Sequence, residues 1–263
     1  MVFNLRQKSN WLFIQLAVAG VIISALFIGL LYTTYNFSLS TPGSFLTKQV
    51  QSACGCQISH STNNSIFNGL ILLVATAIVI TFLFAIIKVV YSLIKTSAFI
   101  KLQKINTAHI SVKLEQTANN IGIGKQVVEI ENNKPLIFCH GIRQPNIYIS
   151  SIVVQLLSYA ELRAVLLHEA HHMLCKEPAR LLLIKFISAF SFIPGIKNLS
   201  KKYLSFSEMA ADELATDNFT DKNHLATAMA KILEMEETIL IQKELAVSYF
   251  SQITEERILT LSD

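Results

Sequence analysis

Two long stretches of the chain carry no charged side chain. Trp11 to Tyr32 and Ile66 to Ile87 are each 22 uncharged, mostly apolar residues. As helices rising 1.5 Å per residue they reach about 33 Å, enough to cross a hydrocarbon core of about 30 Å. Arg6 and Lys8 precede the first run, and Lys88 and Lys95 follow the second. Trp11, Tyr32 and Tyr35 fall where interfacial aromatic side chains sit. A cleaved leader has an apolar core of only about 7–15 residues, so the first run is expected to be retained. Both are predicted to be helical membrane spans.

From about residue 97 the pattern changes. Val127 to Glu131 alternates loosely and meets the turn signal Asn132-Asn133-Lys134-Pro135. Leu136 to Cys139 and Asn146 to Ser150 read as two more short strands, joined through Gly141 and Pro145. Beyond them the periodicity is helical. Ser158 with Glu161 three residues later reads as a capping box, and Leu162, Val165, Leu166 and Met173 recur at helical spacing. Leu181 to Ile196, broken by Lys185 and Pro194, is short for a span. It is expected to be a core helix or one that dips into the membrane surface. The organisation expected is a membrane anchor over 1–96, with spans 11–32 and 66–87 and an external loop 33–65, followed by a cytoplasmic domain over 97–263.

Charge sharpens that division. Charged residues are 15% of the chain and mean hydropathy is +0.46, against about 25% charged in a soluble domain. Residues 1–114 hold eight basic side chains and no acidic one, while 115–263 hold 14 basic and 18 acidic. The uniform basicity of a nucleic-acid binder is missing, so no nucleic-acid partner is expected. Lys and Arg collect in cytoplasmic loops, and the 33–65 loop has only Lys48. A multi-pass protein of the cell membrane with both termini in the cytoplasm is expected. Cys54 and Cys56 then lie on the oxidising side, either as redox or dimer-forming thiols or as incidental ones. Cys139 and Cys175 should be free.

The sharpest signal is His168-Glu169-Ala170-His171-His172. His168 and His172, four apart on a helix, project from one face as two ligands of one zinc ion require. Glu169 lies beside that face, placed to take a proton from water at the metal. Composition alone predicts about 0.01 such motifs in a chain of this size. His171 could also converge on a metal with His168. A catalytic zinc takes three protein ligands. Glu208 is the best third, with Asp212 four residues on: one can bind metal while the other steadies a ligand imidazole. Ala210, Ala211 and Ala215 would let their helix approach the histidine helix closely. Glu177, read as part of the same helix as His172, is expected to point away. Cys139 and His140 read as ordinary fold residues.

In order, the two spans, Gly141-x-x-x-Pro145 before Ile147-Tyr148-Ile149-Ser150, Glu161-Leu162-x-Ala164-Val165-Leu166-x-His168-Glu169, and Glu208-x-x-Ala211-Asp212 resemble the membrane-bound gluzincin metallopeptidases. That group holds the BlaR/MecR-type signal-transducing peptidases and the HtpX/CaaX-prenyl-type proteases. The resemblance covers about residues 65–220, and Glu255-Glu256-Arg257-Ile258 is similar to a late Glu-Arg-Ile stretch of these domains. It implies an α+β gluzincin (HExxH) domain, mostly helical with a small sheet, behind a two-span α-helical anchor. It also implies a zinc metalloendopeptidase with one Zn2+ per chain on His168, His172 and Glu208, Glu169 as general base and Asp212 in support. The strand Asn146, Ile147, Tyr148, Ile149, Ser150 corresponds to the edge strand on which substrates align. The BlaR/MecR arrangement is the closer one, and with the chain ending at Asp263 no penicillin-binding sensor is expected.

The expected function is a membrane-anchored zinc endopeptidase acting on cytoplasmic or membrane-proximal proteins in signalling. Its partners are a protein or peptide substrate and the lipid bilayer, with room for a homo-oligomer. The alternatives are a non-catalytic zinc-braced membrane adaptor and an HtpX-like quality-control protease. A site inside the bilayer is disfavoured because Glu161, Arg163, Lys176 and Glu177 bracket the motif. The oxyanion stabiliser is left open among Arg257, His224 and Tyr203.

Overall fold

The computed structural model describes residues 5–40, 62–104, 110–216 and 219–237. Two helices, α1 (Leu5–Ser40) and α2 (Thr62–Lys104), contain the expected spans and overrun them at both ends. No proline or glycine interrupts the chain between Lys88 and Lys104, so nothing stops α2 at the end of its apolar run, and it continues through residue 97. Protein covers only 11% of the most apolar window of each helix. Side chains such as Val21, Leu26, Ile80 and Ile87 therefore stand exposed. A helix at the centre of a soluble core would have them covered, whereas lipid would cover them here. Cys54 and Cys56 lie outside the described residues.

A three-stranded sheet follows: β1 (Val127–Ile130), β2 (Ile137–His140) and β3 (Asn146–Ser150). Its order is β1-β3-β2, with β1 parallel and β2 antiparallel to β3. Residues 146–150 therefore form the central strand, and the expectation that they are the edge strand is corrected. Val127–Ile130 pairs with one side of β3 and Ile137–His140 with the other, so its backbone is spoken for on both sides. Ile147 to Ser150 are all buried, a pattern suited to a central strand. The β2–β3 turn rests on Gly141 (φ +130°), where a Cβ would lie 2.5 Å from the Gln144 carbonyl oxygen.

The remaining helices are α3 (Val112–Asn120), α4 (Ser151–Leu156), α5 (Tyr159–Leu174), α6 (Glu177–Ser188), α7 (Ile196–Ala215) and α8 (Phe219–Glu237). The box at the start of α5 is formed in full. The Ser158 amide donates to Glu161 at 2.7 Å, and the Glu161 amide donates to Ser158 Oγ at 3.3 Å. Lys231 of α8 donates to both Glu161 oxygens at 2.8 and 2.9 Å, so the cap also ties α5 to α8. The main core lies between sheet and helices and holds Ile147, Ile149, Leu162, Val165, Leu166, Leu225 and Met229.

A second core joins this domain to the apolar helices. Leu12, Leu16 and Ala85 pack with Leu181, Ile184, Ile187, Phe190, Ile196 and Tyr203. The 181–196 stretch is thus split: its first part belongs to α6, which lies across α1 and α2, and a turn leads to α7. Ile187 approaches the backbone of Gly20 so closely that an added Cβ would sit 3.2 Å from its Cδ1. Arg180 Nη1 donates to Asn10 Oδ1 at 2.7 Å and stands 4.9 Å over the Phe13 ring. Ile100 joins Phe138 and Tyr148 in a third cluster that fixes the far end of α2 to the sheet.

Replacing Ser158 by Ala removes the acceptor for the Glu161 amide. The expected result is a loss of about 1 kcal/mol of stability, read as a lowered denaturation midpoint in detergent with the folded secondary structure unchanged.

Candidate functional site

Helix α5 is buried along its histidine face, with His168, Glu169, His171 and His172 at most 5% exposed. So much buried polarity is tolerated only if each group finds partners. His168 Nε2 and His172 Nε2 face one another at 3.1 Å. The carboxylate of Glu208, on α7, closes the triangle at 3.5 Å from His168 Nε2 and 3.8 Å from His172 Nε2. The donor atoms of these three residues all lie within 4.8 Å of one another. A tetrahedral ion with bonds of about 2.0–2.2 Å separates its donors by about 3.3–3.6 Å. Two imidazoles and one carboxylate at these spacings fit such a metal.

The other nitrogen of each imidazole is held from behind. His168 Nδ1 donates to Asp212 Oδ1 at 2.9 Å, and His172 Nδ1 to Glu177 Oε2 at 2.6 Å. The Ser207 hydroxyl donates to the other oxygen of Glu177. These bonds fix both tautomers so that Nε2 points at the triangle. Burial alone would lower the pKa of both histidines, but carboxylates more than offset it. Asp212 and then Glu208 raise that of His168, and Glu177 with Glu208 and Glu169 raises that of His172 to about 10. The same contact holds Glu177 down at about 2, against the effect of burial. Burial raises the pKa of Glu169, so its carboxyl accepts a proton more readily than a carboxyl in water.

The expectation for Glu177 is corrected. α5 ends at Leu174, and Lys176 adopts a left-handed backbone (φ +52°), unusual for a residue with a side chain. The chain reverses there, and Glu177 opens α6 with Pro178 behind it, folded back onto His172. Pro178 was the signal that could have shown the break, because proline is tolerated in the first turn of a helix and not in its interior. Ala211 and Ala215, both almost wholly buried, let α7 lie close enough to α5 for Glu208 and Asp212 to reach. His171 turns away, with its Nε2 3.5 Å from Cys175 Sγ, and is absent from the donor triangle.

Beside the triangle, Phe138, Cys139, Glu169, His172, Glu177, Pro178 and Leu181 line a cavity of about 20 Å³, room for about one water. The strand at this cavity is β2, through Phe138 and Cys139; no residue of 146–150 lines it. Burial raises the pKa of the Cys139 thiol, with Glu169 and Glu177 adding to the effect. Of the oxyanion candidates, Tyr203 is fully buried against Phe13 in the core shared with α1. His224 is half-buried on α8, and neither lines the cavity. Arg257 lies outside the described residues.

A family model described as BlaR1 peptidase M56 matches residues 11–261. No curated protein matches the chain.

Glu177→Ala leaves His172 free to turn and is expected to weaken zinc affinity about 10–100-fold, measured by chelator competition. Because the carboxylates raise the pKa of His168, and that of His172 to about 10, a metal ion competes with protons for both imidazoles. Affinity is therefore expected to rise with pH between about 6 and 8. An affinity flat across that range, or unchanged in Glu177→Ala, would contradict this account of the site.

Proposed function

The chain belongs to the BlaR1 peptidase family, and from that footing we propose that it is a membrane-anchored zinc endopeptidase cutting proteins at the cytoplasmic membrane face. The observation that carries the reading is the donor triangle of His168, His172 and Glu208, with buried Glu169 next to it and a carboxylate behind each imidazole. Zinc held by those three residues would polarise a peptide carbonyl and bring the pKa of water to about 7. Glu169 takes a proton from the attacking water and delivers it to the leaving nitrogen. Its raised pKa suits both halves of that transfer. Asp212 and Glu177 keep the imidazoles aimed and spread the positive charge that they carry.

Substrate alignment falls to β2 in this reading. Among the described residues its outer edge pairs with no strand, and Phe138 and Cys139 bring it to the cavity. An extended peptide could add to that edge by backbone hydrogen bonds. The present cavity accommodates about one water, so a substrate must first widen it between β2 and the start of α6. The anchor of 1–96, the catalytic part of 97–263 and the cytoplasmic placement of both termini are part of the proposal.

A zinc-braced adaptor without catalysis fits less well. Structural zinc is usually four-coordinate and often bound by cysteine. The triangle offers three ligands, none of them sulfur, with a proton acceptor beside it.

Glu169→Gln is expected to keep about one zinc per chain and to lose cleavage of a denatured protein such as casein by about 10²–10⁴-fold. Glu208→Ala is expected to lose the zinc as well. Full cleavage by a Glu169→Gln preparation free of wild type would sink the proposed role of Glu169.

A further inference from the structure

The cavity beside Glu169 has two walls, and both are fastened to the same helix. One wall is β2, through Phe138 and Cys139, and the other is the start of α6, through Glu177, Pro178 and Leu181. Helix α2 touches both elements. Ala85, Ser92 and Phe99 recur every seven residues and so share one face of it. Burial follows that face: Ala85 and Thr96 are buried, and Ser92 and Phe99 are half-buried. Ile87, Tyr91 and Ile94, on its other sides, stand exposed.

Along this face α2 meets first one wall and then the other. Lys185 of α6 donates from Nζ to Ser92 Oγ at 2.6 Å, and Phe186 sets its ring edge-on to Phe82 at 5.2 Å. About 10 Å further along the helix axis, the Phe99 ring lies 6.4 Å from that of Phe138. Ile100 is buried with Phe138 and Tyr148. One unbroken run of helix therefore ties β2 to α6. The two fastenings are not equally backed. α6 is held to α1 as well, by Arg180 on Asn10 and by Ile187 against Gly20. β2 lies at the sheet edge, with β3 as its one strand partner among the described residues. A peptide adding to β2 must part it from α6, and α2 resists that movement at both contacts.

We propose that α2 is an autoinhibitory strap: with Phe99 and Ile100 on Phe138, and Ser92 on Lys185, it keeps the peptide cleft shut. Withdrawal of its Phe99 end from the sheet frees β2 and opens the cleft to an extended chain. The inference rests on the peptidase reading for what the cleft admits, while the opening itself is measurable without cleavage.

The test uses the full-length, zinc-loaded protein in detergent with C54S/C56S, which leaves Cys139 and Cys175. Labelling by N-ethylmaleimide is followed at each thiol by peptide mass spectrometry. Cys139 lines the cavity, whereas Cys175 is buried beside His171 outside it and reports general loosening. Phe99→Ala is expected to keep its zinc and to label Cys139 about tenfold faster, a fraction of what deleting a buried aromatic contact can release. Cys175 should be unchanged, and casein cleavage should rise by a similar factor. Lys185→Ala, which cuts the other fastening and leaves β2 packed, should act in the same direction by about threefold. Phe99→Leu, which keeps an apolar contact, should stay near wild type. Cys139 labelling unchanged in both alanine variants, or equal acceleration at Cys175, would overturn the proposal. So would casein cleavage that Phe99→Ala leaves at the wild-type rate. Faster Cys139 labelling with no cleavage by any preparation, wild type included, would uphold the strap and overturn the peptidase reading.

Discussion

Two imidazoles one helical turn apart can aim Nε2 at a common point only if each ring is held from behind. In this protein the two supports come from different helices. Asp212 on α7 holds His168, and Glu177 at the start of α6 holds His172, with Glu208 arriving on α7 to complete the triangle. Much of the local structure follows from this requirement. Alanines thin α7 where it crosses α5, and a left-handed Lys176 turns the chain back so that Glu177 can reach. The capping box fixes where α5 begins and so which of its residues face inward. Leaving any one of these buried groups unpaired would cost about 1–3 kcal/mol or more, so the network tolerates little rearrangement.

The two helices that support the site are also those that rest on the membrane-spanning ones. α7 packs along α1 and α6 lies across α1 and α2, sharing a core with Leu12, Leu16 and Ala85. Arg180, one turn beyond Glu177, is tied to Asn10 and Phe13 of α1. The distance from lipid-facing helix to ligand imidazole is therefore covered by two short, packed helices without an intervening linker. A displacement of α1 or α2 in the membrane has a direct mechanical route to the supports of both histidines. In the proposed reading, that arrangement puts the chemistry close to the bilayer.

Much of this was legible in the sequence because the signals were local. The uncharged runs, the Ser158–Glu161 cap, the three strands and the His168–His172 spacing each lie within a few residues, where helical or strand periodicity alone decides the geometry. Glu208 and Asp212 were legible as a pair because i, i+4 carboxylates share a helix face. What was missed depends on contacts distant in sequence. The order of strands is set by which neighbour pairs with Asn146–Ser150, and five residues cannot state it. Glu177 is the exception: Pro178 marks the helix break locally, but the reach of Glu177 back to His172 follows only from the left-handed turn at Lys176. Cys139 was read as an ordinary fold residue because its place beside Glu169 follows from β2 lying at the sheet edge.

The central claim is a single metal held by nitrogen and oxygen alone. Zinc K-edge absorption spectroscopy of the purified full-length protein tests it most directly. The account predicts one zinc per chain with two imidazole nitrogens and carboxylate oxygen at about 2.0–2.2 Å, and no sulfur. A sulfur shell near 2.3 Å would bring Cys139 or Cys175 into the coordination sphere and contradict the assignment, as would a folded protein that takes up no zinc.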